Sequence, residues 1–380
     1  MKYYIIAGEP SGDLHGSELV KQLLNIDNNI QIRGWGGNKM KECGVVITKH
    51  IRELAFMGFV EVAKNIGKIK KNFTFAKKDI LAYNPDAVIL IDYPGFNLRI
   101  AKFLKKHNIP VFYYIAPQAW AWKTSRVYSI KKYVDKLFVI LPFEKDFFSR
   151  YGIPTVYEGH PLKEIIDRYK INYSDAQREQ FLKNLGITKD NKIVAILPGS
   201  RKQEIEKKLP IMLSATEKYK QNKEIVFIVA ATTNLSADIY KKYLNSYPYV
   251  KIVWDKSYEV LINSYAAMVT SGTATLETAL FGIPEVVCYK AGALSYHIAK
   301  HIIKVDYISL VNLILNKSAV NELIQDDCST EILQKELSSL LFDKYYRKSL
   351  NNDYNQLNKM LGDSGIIKRI ANQVINETKK

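Results

Sequence analysis

Short apolar runs recur through the first part of the chain, at residues 3–7, 30–34, 87–91, 111–115 and 137–141, with stretches of helical apolar spacing between them. Several runs are apolar at every position instead of alternating, as in parallel strands covered on both faces by helices. The pattern predicts a doubly wound α/β domain. After His160 and Pro161 comes a charged, helix-like stretch over 163–182 that offers no new core. A second series of strands follows at 193–197, 225–230, 250–254, 267–270 and 285–289, again alternating with helical segments. Two Rossmann-like domains facing a cleft are the simplest architecture. There is no tandem repeat or low-complexity tract.

Composition narrows the class. A chain of 380 residues that is 47% hydrophobic and 24% charged can bury a large core, so disorder and disulfide-stapled scaffolds are excluded. Cys43, Cys288 and Cys328 are widely spaced and form no CxxC pair, which fits a reducing cytosol. The first apolar run is cut short by Glu9 and Asp13, so it reads as a strand and not as a signal peptide. Lys and Arg number 55 against 38 acidic residues, a net charge of +17 that favours phosphate-bearing partners without choosing among nucleic acid, anionic membrane and phosphorylated small molecules.

In the second half, a buried strand runs into Pro198, Gly199, Ser200 and Arg201 and then into a polar helical segment. Gly199 permits close backbone approach, Ser200 offers a hydroxyl, and Arg201 can hold phosphate oxygens with a planar fork of donors. Taken alone, the match also fits an ordinary strand-to-helix turn. A second strand leads into Ser271, Gly272 and Thr273, where small and hydroxyl residues open a helix whose free N–H groups and dipole can face an anion. Glu277, four residues after Thr273, can accept hydrogen bonds from ribose hydroxyls, or be a solvated residue of a well-capped helix. Together the two loops favour a nucleotide diphosphate. The sequences GxxxxGK[ST] and GxGxxG are missing from these turns, and there is no DxD triplet, so no metal or other cofactor is expected.

In the first half, Glu9, Ser11, Gly12 and Asp13 follow the first strand and are expected to line the cleft, with helix capping by Ser11 or Asp13 as the alternative. Asp92 closes a very apolar strand just before a turn, where desolvation can raise its basicity and suit it to general base work on a hydroxyl; capping of the turn is the competing role. Trp120 and Trp122, with Lys123 and Arg126 after them, can wall a sugar or acyl chain or pack in a core. Between residues 57 and 76, Phe59, Val62, Ile66, Ile69 and Phe73 recur at helical spacing beside Lys64, Lys68, Lys70 and Lys71. Such a basic amphipathic helix can lie on an anionic bilayer or pack its stripe inward. His297 and His301 lie four apart but, with Lys300 and Lys304 alongside, read as a basic face and not as metal ligands.

The strings AGEPSGD, MGFVEV, IDYPGFN, APQAWAWK, LPFEK, GHPL, LPGSR, SGTATLE and YISLVNLIL, in order from Ala7 to Leu315, resemble the lipid-A-disaccharide synthases, inverting glycosyltransferases. The resemblance implies a GT-B-like fold and transfer of a diacylated glucosamine from its UDP conjugate to the 6-hydroxyl of diacylglucosamine 1-phosphate, giving a β(1→6) linkage and UDP. It implies Asp92 as catalytic base. Gly199, Ser200, Arg201, Ser271, Gly272, Thr273, Glu277 and Asn312 would bind the donor, and Glu9, Ser11, Gly12 and Asp13 would form an acceptor-side cleft loop. Residues 1–165 would be the acceptor and catalytic-base domain, 166–345 the UDP-sugar domain, and 346–380 a helical segment that crosses back or is exchanged in a homodimer. Peripheral attachment to the cytoplasmic face of the inner membrane is also implied, with no nucleic acid partner. A nucleotide-sugar epimerase on the same architecture is the nearest enzymatic rival, and a basic surface-binding module the non-enzymatic one.

Overall fold

The computed structural model describes residues 1–54, 66–292 and 305–379. The MGFVEV segment, Phe59, Val62 and Lys64 of the amphipathic stripe, and His297, Lys300, His301 and Lys304 lie outside the described residues. The chain forms two compact units, Met1–Glu164 with Leu361–Lys380, and Ile165–Met360.

In the first unit, seven parallel strands stand in the order β3-β2-β1-β4-β5-β6-β7. These are β1 Lys2–Ala7, β2 Gln31–Gly36, β3 Val46–His50, β4 Ala87–Ile91, β5 Val111–Tyr114, β6 Lys136–Val139 and β7 Thr155–Tyr157. Every residue of β4 is buried, as is β1 from Tyr3 onward, which explains their uninterrupted apolar sequence. In the second unit, six parallel strands take the order β10-β9-β8-β11-β12-β13. They are β8 Lys192–Leu197, β9 Ile225–Ala231, β10 Lys251–Trp254, β11 Ala266–Thr270, β12 Glu285–Tyr289 and β13 Asn321–Ile324. Both sheets reverse direction of growth once, between β1 and β4 in the first and between β8 and β11 in the second. Loops leaving the C-terminal ends of such strand pairs are where open α/β sheets bind ligands.

The domain boundaries differ from the sequence expectation at the C-terminus. The helix Lys344–Met360 belongs to the second unit, so the chain leaves that unit after 360 and not after 345. Only Leu361–Lys380 joins the first unit, where the helix Ile366–Thr378 buries Ile366, Ile367, Ile370, Ala371, Val374 and Ile375 along one face. Its partner is the helix Pro10–Ile26. Polar contacts fix the register: Tyr3 Oη donates to Thr378 Oγ1 at 3.1 Å, Lys136 pairs with Glu377 at 3.0 Å, and Arg369 with Glu158 at 2.7 Å. The charged stretch 163–182 is two helices, Pro161–Asn172 and Asp175–Leu185, separated where Ser174 and Gln177 form a reciprocal capping box. Among the described residues no helix is long and apolar enough to cross a membrane.

Candidate active site

At the switch point of the first unit, β4 ends at Ile91 beside Ala7 of β1. Asp92 and Tyr93 follow with φ of 43° and 50°, two successive non-glycine residues in the left-handed region. Such a turn costs of order 1–3 kcal/mol per residue and persists only when its surroundings hold it. Here the Tyr113 phenol donates to the Asp92 carbonyl at 2.6 Å, and Asn97 Nδ2 donates to the same oxygen at 2.7 Å and to the Ile91 carbonyl at 3.2 Å. The Tyr93 ring lies directly over Gly8, where a Cβ would collide with its ring carbons. Gly8 is therefore what lets the loops after β1 and β4 meet.

The Asp92 carboxyl is pushed up to about 7 by desolvation, reinforced by the neighbouring Glu9 charge and opposed by the Tyr93 N–H and the Arg126 guanidinium. Glu9 stands at the N-terminal boundary of the helix Pro10–Ile26 and makes no capping bond there. Gly12 packs against Ala7 and Ile91, and Ser11 is half-buried beside it. Asp13 takes the alternative role of a helix cap, on a helix other than its own. Its buried carboxylate accepts from the N–H groups of Gly37 at 2.6 Å, Lys39 at 3.1 Å and Met40 at 3.1 Å, so it caps the short helix Asn38–Glu42 and is spent structurally.

Two residues with no assigned role frame this edge. Glu144, fully buried after β6, accepts from Trp120 Nε1 at 3.0 Å, Leu141 N–H at 2.9 Å and Ile140 N–H at 3.1 Å. Burial raises its carboxyl to about 7, with the three donors opposing. It thereby fastens the tryptophan loop after β5 to the end of β6. Arg126 begins the helix Arg126–Tyr133 that follows this loop, with its guanidinium 4.2 Å from the Trp122 ring centroid. A lone acid or arginine gives little sequence signal, because its partners come from other strands.

At the switch point of the second unit, Gly199 follows β8 with φ of 112°, and Arg201 stands before the helix Lys202–Thr216. Glu204, which the sequence did not single out, reaches back to this turn. Its carboxylate accepts from the N–H of Ser200 at 3.1 Å and of Arg201 at 3.3 Å, and pairs with the Arg201 guanidinium at 3.3 Å. A Cβ at Gly199 would collide with that carboxylate. The Arg201 side chain is half exposed.

The companion loop after β11 carries Ser271, Gly272 with φ of 146°, and Thr273 at the start of the helix Thr273–Phe281. Ser271 Oγ donates to the Ile308 carbonyl at 3.0 Å, so its hydroxyl ties two loops together. Glu277 accepts from the Tyr258 phenol at 3.1 Å. Asn312 is fully buried, and its side chain is committed inside the unit. Its Nδ2 donates to Val320 O and Glu322 Oε1, while Oδ1 accepts from the N–H groups of Ala319 and Val320. The residue shapes its loop from within.

Two parallel α/β units, each with its chemical motifs at the switch point, define a GT-B glycosyltransferase fold. Among solved structures, the UDP-GlcNAc 2-epimerase from Neisseria meningitidis, in complex with UDP-GlcNAc, superposes with a TM-score of 0.69 at 15% identity, covering 99% of this chain and 100% of that one. The calicheamicin glycosyltransferase superposes at 0.55 with 12% identity, covering 99% and 97%. At these identities the likeness is one of fold.

A model of the lipid-A-disaccharide synthetase family matches residues 3–373. Lipid-A-disaccharide synthases of Geobacter sulfurreducens and Syntrophus aciditrophicus are 37% and 38% identical, over 98% and 99% of this chain and 96% and 97% of theirs. A Coxiella burnetii relative of the same name is 35% identical over 98% of this chain and 97% of its own length. The chain belongs to the lipid-A-disaccharide synthetase family and is a glycosyltransferase of lipid A synthesis.

Proposed function

We propose that the chain joins UDP-2,3-diacylglucosamine to 2,3-diacylglucosamine 1-phosphate in a single displacement with Asp92 as the base. Asp92 takes the proton of the acceptor 6-hydroxyl as that oxygen forms its bond to the donor anomeric carbon. The bond from that carbon to the diphosphate oxygen breaks on the opposite face, and the electron pair leaves with UDP. One displacement inverts the configuration and gives the β(1→6) link. Negative charge grows on the leaving diphosphate, and Arg201 together with the helix start at Gly272 and Thr273 is suited to stabilise it. Glu277 is suited to the ribose hydroxyls, and Glu9 helps keep Asp92 basic.

The observation that carries this reading is the carboxyl of Asp92, held on a strained turn at a switch point and tuned to about 7. A base of that strength is half ionised near neutral pH and accepts a proton effectively. The test supplies both acylated sugars and follows UDP and disaccharide, with wild type and Asp92→Asn. Turnover should fall by about 10²- to 10⁴-fold while UDP affinity holds. Near-normal turnover would remove Asp92 from the role. Incubation with the UDP-sugar alone distinguishes an epimerase, which needs no acceptor.

Attachment to an anionic membrane surface is supported by the net charge of +17 and by the helix Ile66–Tyr83, where Phe75 and Leu81 are exposed beside Lys68, Lys71 and Lys78. For a member of the lipid-A-disaccharide synthetase family, the place we propose is the cytoplasmic face of the inner membrane.

A further inference from the structure

Arg126 is 91% removed from solvent, with 9% relative exposure, yet its guanidinium makes no hydrogen bond or ion pair among the described residues. Its guanidinium nitrogens are not sealed from solvent, so its five N–H donors stay open to a ligand. Its one close contact is the face of Trp122 at 4.2 Å, which orients the plane without satisfying a donor. Burial depresses its basicity, and the nearby Tyr113 phenol and Asp92 carboxyl offset this only in part. The guanidinium interacts with the Asp92 carboxyl, which is only half ionised near neutral pH. That environment calls for an anion.

We infer that Arg126 binds the phosphate monoester of the acceptor sugar. The inference rests on the function proposed above, in which Asp92 receives the acceptor hydroxyl proton. Arg126 and Asp92 belong to one unit and interact electrostatically, so a hexose whose hydroxyl faces Asp92 carries its anomeric phosphate to a neighbouring cation. The guanidinium fork matches two phosphate oxygens, and phosphate binding supplies the charge balance that Asp92 alone does not. The half-exposed Trp122 ring is left to pack against the sugar face.

The experiment measures binding to the full-length protein of diacylglucosamine 1-phosphate in mixed micelles, of the same lipid without phosphate, and of UDP. Arg126→Met should weaken the phosphorylated acceptor by about 10- to 100-fold and leave the dephosphorylated lipid and UDP unchanged. Arg126→Lys, which keeps the charge and loses the fork, should fall between. In turnover assays the acceptor KM should rise more than kcat falls. Unchanged UDP affinity doubles as the control for folding of the Met variant; if that variant does not fold, the Lys variant carries the comparison. Equal acceptor affinity in wild type and variants overturns the inference, as does a loss confined to UDP. A shift of the pH profile at saturating acceptor with unaltered acceptor affinity also overturns it, since Arg126 would then serve only to tune Asp92. Wild type that binds no phosphorylated acceptor at all fails the proposed function itself, a result distinct from failure of Arg126 alone.

Discussion

The ring of Tyr93 lies across the backbone of Gly8, joining the turn that carries Asp92 to the loop that follows the first strand. The contact leaves no room for a side chain, although neither residue is expected to touch the reacting atoms. Gly8→Ala must therefore displace the Tyr93 ring and, with it, the left-handed pair Asp92 and Tyr93. Overpacking of this kind costs about 1–3 kcal/mol. Denaturant titration should show that loss together with reduced turnover, and UDP affinity should be unaffected.

Asp92 sets two pH dependences. Turnover should rise as pH increases through about 7, where its carboxyl ionises, and Asp92→Asn should abolish that dependence. Stability runs the other way. The folded value lies above the unfolded one, about 3.9, so the native state binds more protons between the two and loses stability as pH rises through that window. Asp92→Asn should be more stable than wild type by about 1–3 kcal/mol above pH 8, with the difference gone below about pH 4. Chemical denaturation at both extremes checks the sign.

Arg201 and Glu204 separate binding from scaffold. Arg201→Ala removes charge-assisted bonds to phosphate and should weaken UDP by roughly 10- to 100-fold in calorimetry, with little change in stability. Glu204→Ala removes the carboxylate that accepts from the Ser200 and Arg201 N–H groups at the start of the helix Lys202–Thr216 and should cost about 0.5–2 kcal/mol of stability. Unchanged UDP affinity in Arg201→Ala would count against its assignment.

Asn312 is expected to act through structure. Its four buried hydrogen bonds hold the segment from Ala319 to Glu322, so Asn312→Ala should destabilise the protein by about 2–4 kcal/mol. The measurement is thermal or denaturant unfolding. A variant of normal stability with weakened UDP binding would restore a direct contact.

The residues explain which parts of this architecture are visible in the chain. The central strands β1, β4, β8 and β11 are buried almost throughout, so their sequences are unbroken apolar runs. The edge strands β3, β7 and β13 have few or no fully buried positions and give no such signal, and all three escaped the sequence pattern. Asp92 and the Gly199 to Arg201 turn were legible because they end central strands. That Asp13 caps a helix other than its own is not legible, because the amides it holds, from Gly37 to Met40, lie more than twenty residues away. Glu144 and Glu204 are hidden for a related reason. Their meaning depends on which donors or rings surround them, and a linear pattern of polar and apolar letters does not encode that.

The return of Leu361–Lys380 to the first unit bears on biosynthesis. The apolar face of the Pro10–Ile26 helix is completed by residues synthesised after the whole second unit, so the first unit stays unfinished until the second has been made. A fragment ending at residue 164 would carry that uncovered face into solution, and a stop codon just after Met360 would leave it bare as well.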